Sequence, residues 1–472
     1  MPKAVTGRQI KRNVIISIFV QTISLLVGFV LNLVLPKFIS ELQYAHWQTY
    51  VLYVGYVGIL HFGLLDGIVL RYSQYDYDEL DKPLIRSQFK ILLFITATLS
   101  LLSIGIFSII ADGINKYIFV YVALGIVTKN LFTYTSYTFQ ITNRIRKYAI
   151  LIVSHKLFYG LAVIVLLLNQ VGSFHLYCLA DLCGDLFACL IGYFSNRHLY
   201  FGKTIPFFET IQEFWCNTSA GIKLLVANWS SILLLGSSKM LVQWHCDKIL
   251  FAKYSFAFSL SNLILAFVAA VSVVFFPSLK RIEPNRMPQV YNNVRRILSP
   301  MLFVSLLLYF PGNVILSMWL PQYSESLVFL GIMLPIVVYT SKVTLLTNNY
   351  LKAYRKEQTM LQINVISVII SFLLFVIAIY VFESIILLLV LVVIAAMLRS
   401  IVSEVAVMRL IDLNFLRDFF VEAVVTIGFI VAASCFPLLE GGMLYAVVLG
   451  AYILTYKNDF ARMLQIKVHR II

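Results

Sequence analysis

NVIISIFVQTISLLVGFVLNLVL, Asn13 to Leu35, is an unbroken apolar run, preceded by Lys3, Arg8, Lys11 and Arg12 and closed by Pro36. About 20 apolar residues cross a hydrocarbon layer of roughly 30 Å, so a run of this length is a membrane span. It is too long for the apolar centre of a secretory signal and ends without a small-residue cleavage site, so it is expected to remain as the first helix. Outward from it, similar runs recur near 46–70, 88–110, 115–138, 149–168 and 176–195. After a more polar stretch they resume near 219–242, 254–277, 297–318, 325–347, 363–382 and 385–407, with two more near 419–437 and 441–456. The expected fold is an all-α polytopic membrane protein of about 14 transmembrane helices. Composition agrees: 60% of residues are hydrophobic and 12% charged, a balance that a water-soluble domain does not need.

The net charge of +15 is distributed by topology. With both termini in the cytoplasm, the inner segments hold Arg71, Lys82, Arg86, Lys90, Arg144, Arg146, Lys147, Arg197, Lys203, Lys280, Arg281, Arg286, Arg295, Arg296, Lys352, Arg355, Lys356, Arg409, Arg417, Lys457, Arg462, Lys467 and Arg470. The outer loops hold Lys37, Lys116, Lys248 and Lys253. That bias is the positive-inside rule, so the basic balance reflects orientation and anionic lipid rather than nucleic acid. Cys178, Cys183 and Cys189 share one helix, and of Cys216, Cys246 and Cys435 only Cys246 lies near the outer face. The cysteines are therefore read as packing residues and not as disulfides.

An offset of about 210 residues lays the first six runs onto the next six. Tyr44 then meets Tyr254, Arg71 meets Arg281, and the basic loop Arg144, Arg146, Lys147 meets Lys352, Arg355, Lys356. Units with an even number of spans point the same way, as two pseudo-symmetric six-helix bundles about an axis along the membrane normal, an arrangement suited to alternating access. The expected organisation is 1–195 for the N-terminal bundle, 196–218 for a cytoplasmic linker, 219–407 for the C-terminal bundle, and 408–472 for two extra helices and a cytoplasmic tail. Pro206, Phe207, Phe208, Phe214 and Trp215 make the linker a candidate interfacial helix.

Ionisable groups inside a membrane face a wet cavity, a partner or the interface. Lys129 and Lys156 lie deepest in their runs and are read as cations of a substrate lumen. Lys223, Lys342 and Arg399 lie nearer the inner boundary and Lys239 nearer the outer one, where snorkelling is the alternative. Arg71 closes the second run and, with Lys342 and Lys239, is a further candidate for the cationic lumen. Asp181 and Asp185, four apart on one helix face, would either share a proton or a cation as a coupling site or pair with a neighbouring lysine. Asp66 is a third coupling candidate near the end of the second run, and His61 reads as a core histidine. Glu404 could pair only loosely with Arg399. Pro311 with Gly312 and Gly331 with Pro335 are expected to interrupt the ninth and tenth helices. No P-loop, H-E-x-x-H, paired C-x-x-C or G-x-S-x-G is present, so no catalytic residue, metal or cofactor is assigned and an enzyme is not expected.

Segments in both halves of the chain carry a family resemblance. Leu35-Pro36-Lys37-Phe38 followed by Glu41 to Trp47, and Gly63 to Arg71, resemble the start of the polysaccharide (O-antigen type) flippases. Asp247-Lys248-Ile249, Tyr254 to Ala257 and Phe276-Pro277-Ser278-Leu279-Lys280-Arg281 are similar to that family's seventh-to-eighth helix region. These flippases belong to the multidrug/oligosaccharidyl-lipid/polysaccharide exporter (MOP) superfamily. The resemblance implies two six-helix bundles with two added helices in the cell membrane. It also implies transfer of an undecaprenyl diphosphate-linked oligosaccharide from the inner to the outer leaflet, with polymerase and glycosyltransferases of the same pathway as possible partners. The family's cationic lumen is matched in kind by Lys129, Lys156 and the second-half cations. Two other readings stay open: a cation-coupled multidrug exporter of the same superfamily, and a membrane glycan polymerase or glycosyltransferase, against which the short outer loops speak.

Overall fold

The computed structural model describes residues 7–279, 286–413 and 416–455, with side chains from residue 15 onward except 269–279. Lys3, Lys280, Arg281 and the tail cations Lys457, Arg462, Lys467 and Arg470 lie outside the described residues. The described chain is helical: α1 (Gly7–Phe29), α2 (Glu41–Val54), α3 (Leu64–Tyr72), α4 (Lys82–Ile110), α5 (Gly113–Ile141), α6 (Ile145–Leu168), α7 (Phe174–Ser195), α8 (Phe207–His245) and α9 (Lys248–Leu279). There follow α10 (Met287–Ser305), α11 (Tyr309–Trp319), α12 (Ser324–Met333), α13 (Pro335–Ser341), α14 (Asn348–Ala353), α15 (Glu357–Val376), α16 (Ile385–Ile411), α17 (Leu416–Cys435) and α18 (Leu438–Thr455). Among the described residues twelve helices are long and apolar enough to cross a membrane, or up to 14 spans with two bent pairs. The protein is a multi-pass, all-α membrane protein.

Local sequence accounts for the starts. Asp81 accepts a hydrogen bond from the Leu84 N–H at 3.1 Å, with Pro83 in the first turn of α4. Ser40 and Ser384 cap α2 and α16 in the same way, satisfying backbone donors that a helix N-terminus leaves open.

The bends fall where backbone hydrogen bonding fails. The second span, which reads as one helix in the sequence, is broken by 55° between α2 and α3. There Phe62 and Gly63 both take positive φ, 52° and 86°. Gly63 also lies against the backbone of Ile222 at a distance no Cβ would tolerate. The tenth span bends by 44° at Leu334–Pro335, the expected proline site, because Pro335 has no N–H to give. In the ninth span a 3-10 turn at Leu306–Leu308 comes just before Pro311, so the irregularity sits one turn N-terminal to the proline, whose ring disturbs the preceding carbonyls.

The chain divides into two compact units between Trp229 and Ser230, inside the 39-residue α8. Of the segment 196–218, residues from Phe207 onward are the first turns of that helix. In the first unit α5 is central, packed by α2, α3, α4, α6 and α7. In the second, α16 holds that place against α12, α13 and α15, and the pair α17–α18 packs on α10 to α12. Outer helices expose apolar side chains, as α4 does with Phe94, Leu101 and Ile109, the surface that lipid requires.

Candidate functional site

Among the described residues, each unit buries an ionic cluster. In the first, Lys129 near the middle of α5 places Nζ 2.8 Å from Oδ2 of Asp181 and 2.8 Å from Oδ2 of Asp185. The two aspartates share a face of α7 because they are four residues apart. The Tyr50 hydroxyl from α2 donates to Asp181 Oδ2 at 2.8 Å, and Thr128 donates to Asp185 Oδ2 at 3.3 Å. On the opposite side His155 of α6 puts Nε2 3.1 Å from Asp185 Oδ1 and 3.7 Å from Asp181 Oδ1. His155 and both aspartates are buried, while the Lys129 side chain keeps 23% of its surface open. Of the two readings open for the aspartates, the geometry includes the pairing with a lysine.

His155, Asp181 and Asp185 come within 4.8 Å of one another, a spacing that metal sites also use. Here the Lys129 ammonium already supplies the cation between the two carboxylates, so the cluster reads as an ion-paired site. Lys156 follows His155 on α6, is half-buried, and among the described residues makes no ion pair or side-chain hydrogen bond. It lies in the electrostatic field of Asp181, Asp185 and Lys129 without touching them.

The second cluster is larger and closed. Arg295 of α10 forks onto Glu404 of α16 at 2.6 Å and onto Asp418 and Glu422 of α17 at 2.6 and 3.2 Å. Lys342, which opens a π-helical stretch (Lys342–Thr347) after α13, joins Glu404 at 2.5 Å and Glu422 at 2.6 Å. Arg295 and Lys342 are each 1% exposed, and the Phe419 ring lies beneath both. Arg295 is therefore not a loop cation, as its place before the ninth run suggested, but a core residue. Nor does Glu404 pair with Arg399: five residues apart they point about 140° from each other around a helix. Arg399 instead donates to Asn364 at 3.1 Å and to Ser231 at 2.8 Å.

The remaining candidates are placed separately. Arg71 pairs with Glu213 and donates to Asn217 at 2.6 Å, while the Tyr72 hydroxyl also donates to Glu213. Asp66 is buried with Oδ2 3.8 Å from His61 Nε2. Lys239 is buried with its ammonium over the rings of Phe251 and Phe258, at 5.8 and 5.6 Å. The first unit thus brings together Lys129, Asp181 and Asp185 with Lys156 beside them, and leaves Arg71 and Asp66 in other contacts. Sequence reasoning missed Tyr50, His155, Arg295, Asp418 and Glu422. The one available signal was the four-residue spacing of Asp418 and Glu422, the same that singled out Asp181 and Asp185.

No protein-family model and no curated protein matches this sequence. Solved structures do. A lipid II flippase MurJ in an inward closed conformation superimposes with a TM-score of 0.64 at 13% identity, over 94% of this chain and 100% of that one. An inward-facing multidrug resistance MATE family transporter of the MOP superfamily gives 0.63 at 12%, over 82% and 94%. A MOP superfamily transporter from Pyrococcus furiosus, described as having a binding pocket of reversed polarity, gives 0.52 at 10%, over 85% and 96%. At these identities the likeness is one of fold, and the fold is that of multi-span transporters and flippases.

Proposed function

We propose that this chain is a flippase that moves undecaprenyl diphosphate-linked oligosaccharide repeat units from the inner to the outer leaflet, by alternating access, for cell-surface polysaccharide synthesis. The observation that carries this reading is Lys129, a cation held near the middle of a membrane span by two carboxylates yet partly open. A buried charge survives in hydrocarbon when it is paired and functional, and an ammonium suits an anionic diphosphate. Lys156, half-buried and making no ion pair or side-chain hydrogen bond among the described residues, is the second head-group contact. Lys239, Lys342 and Arg71 already hold ring or carboxylate partners and serve as further cationic contacts only if those are exchanged. Asp181 and Asp185 are the coupling carboxylates, with Asp66 in reserve. Both termini are placed in the cytoplasm by the charge bias, and polymerase and glycosyltransferases of the pathway are the expected partners.

The test is the leaflet accessibility of lipid-linked oligosaccharide in spheroplasts with and without this protein. Depletion is expected to trap the substrate on the inner leaflet, and unchanged accessibility would refute the reading. The carboxylate pair and the MATE-like fold also favour a cation-coupled multidrug exporter, and raised drug resistance on overexpression, with normal polysaccharide after depletion, would decide for it.

A further inference from the structure

The two sides of the Asp181–Asp185 pair are not equivalent. All the hydrogen-bond donors and the ammonium gather on the Oδ2 atoms: Lys129, Tyr50 and Thr128. The Oδ1 atoms face the His155 imidazole. His155 Nε2 and Asp185 Oδ1 are both buried, lie 3.1 Å apart, and have no hydrogen-bond partner. The two atoms lie within hydrogen-bonding distance but are not aligned for a hydrogen bond, so the pair has a capacity for a shared proton that this arrangement does not use. At contact distance two carboxylates share the one ammonium of Lys129, while the second cation, Lys156, lies in their field without touching them. The other ionisable groups facing the cluster are Tyr50 from α2, Lys156 and Tyr159 from α6, and Cys178 and Cys189 from α7.

Resting on the flippase reading, we propose that Lys129 is exchanged between the carboxylate pair and the anionic head group of the substrate, and that His155 takes up one proton as the exchange occurs. Lys129 is the most open member of the cluster, so its ammonium can turn toward an anion while Asp185 and His155 keep their places, and the opening it vacates lets solvent reach them. When it turns, Asp181 and Asp185 lose the cation that offset them. A proton from solvent on His155 Nε2, shared with Asp185 Oδ1, restores a charge of the same sign within the cluster. No bond other than that N–H is made or broken, and departure of the anion returns Lys129 and expels the proton. Anion binding and protonation therefore favour each other, and by linkage each strengthens the other by the same factor. The sign follows: if binding takes up one proton, affinity falls by about tenfold for each unit rise in pH wherever the empty cluster is unprotonated and the occupied one protonated.

The experiment is calorimetric titration of the full chain in lipid nanodiscs with farnesyl diphosphate, in two buffers of different ionisation heat. Wild type is expected to take up about one proton per diphosphate bound beyond what Asp185→Asn takes up, a difference that removes the probe's own titration. Asp185→Asn should also bind more tightly, because Lys129 then gives up only one charged partner, and His155→Gln should bind with a flattened pH dependence. Binding with equal proton uptake in wild type, Asp185→Asn and His155→Gln would overturn the exchange while leaving diphosphate recognition standing. Absence of binding in folded wild type would overturn both. If Asp185→Asn does not fold, the comparison of wild type with His155→Gln decides.

Discussion

The two buried clusters are built from the same chemistry and arranged to opposite ends. In the second unit, two cations and three carboxylates join four elements, and Arg295, Lys342, Glu404 and Glu422 are all sealed. In the first, one ammonium serves two carboxylates, its side chain is partly open, and a histidine and a carboxylate oxygen face each other without a hydrogen bond. A sealed network with its atoms paired holds helices in place, here fastening α17 to α10 and α16. An open and incompletely paired one has an alternative state available to it. The contrast suggests that one cluster is an anchor and the other a working part.

The largest effect that would sharpen this comparison comes from Arg295→Leu. It leaves the buried Glu404 and Glu422 to Lys342 alone and takes from the half-buried Asp418 its Arg295 partner, and it is expected to cost about 3–5 kcal/mol, seen as a collapse of the thermal midpoint in detergent. A loss within about 1 kcal/mol would show that the second cluster anchors nothing. Next in size is a pair of whole-cluster exchanges. Arg295→Met, Lys342→Met, Glu404→Leu, Glu422→Leu and Asp418→Asn together are expected to leave stability near wild type, since apolar groups can replace a buried ion network at little net cost. Polysaccharide export should continue in that variant and stop in a Lys129→Met, Asp181→Leu, Asp185→Leu variant that still folds. Equal loss of export in both would break the distinction between anchor and working part. The smallest effect is that of Lys156→Ala. With no ion pair among the described residues to lose, it should change stability by less than about 0.5 kcal/mol while reducing export several-fold, and full export would remove Lys156 from the head-group contact.

How much of this was legible depends on whether the determining partner lies on the same helix. Spans are local, so the run near 88–110 reappears as Lys82–Ile110 and the run near 385–407 as Ile385–Ile411. The pairing of Asp181 with Asp185 is likewise a matter of one helix's period. The break at Phe62–Gly63 was not legible, because a glycine in an apolar run announces a bend only when a second backbone presses on it, and Ile222 is far away in sequence. His155 and Tyr50 reach the aspartates from two other helices, and no spacing joins them. Arg295 was misplaced for a related reason. A cation at the edge of an apolar run looks like a boundary marker until the three carboxylates that surround it, on two other helices, are known.

One further consequence follows from the length of α4. Its 29 residues extend about 43 Å at 1.5 Å each, well beyond a hydrocarbon thickness of roughly 30 Å. The apolar part, from Ile91 to Ile110, is enough to cross, and the surplus is the N-terminal stretch that carries Lys82, Arg86 and Lys90 at four-residue steps. Arg86 ties that stretch to the carbonyls of His198 and Lys203, each at 2.8 Å, so the overhang is braced against its own unit instead of trailing in solvent. The helix is thus moored at one end, and a thinner or thicker bilayer must be met by tilt at the other. The protein's working rate should therefore carry a dependence on acyl-chain length, set by a mismatch that lies outside either charged cluster.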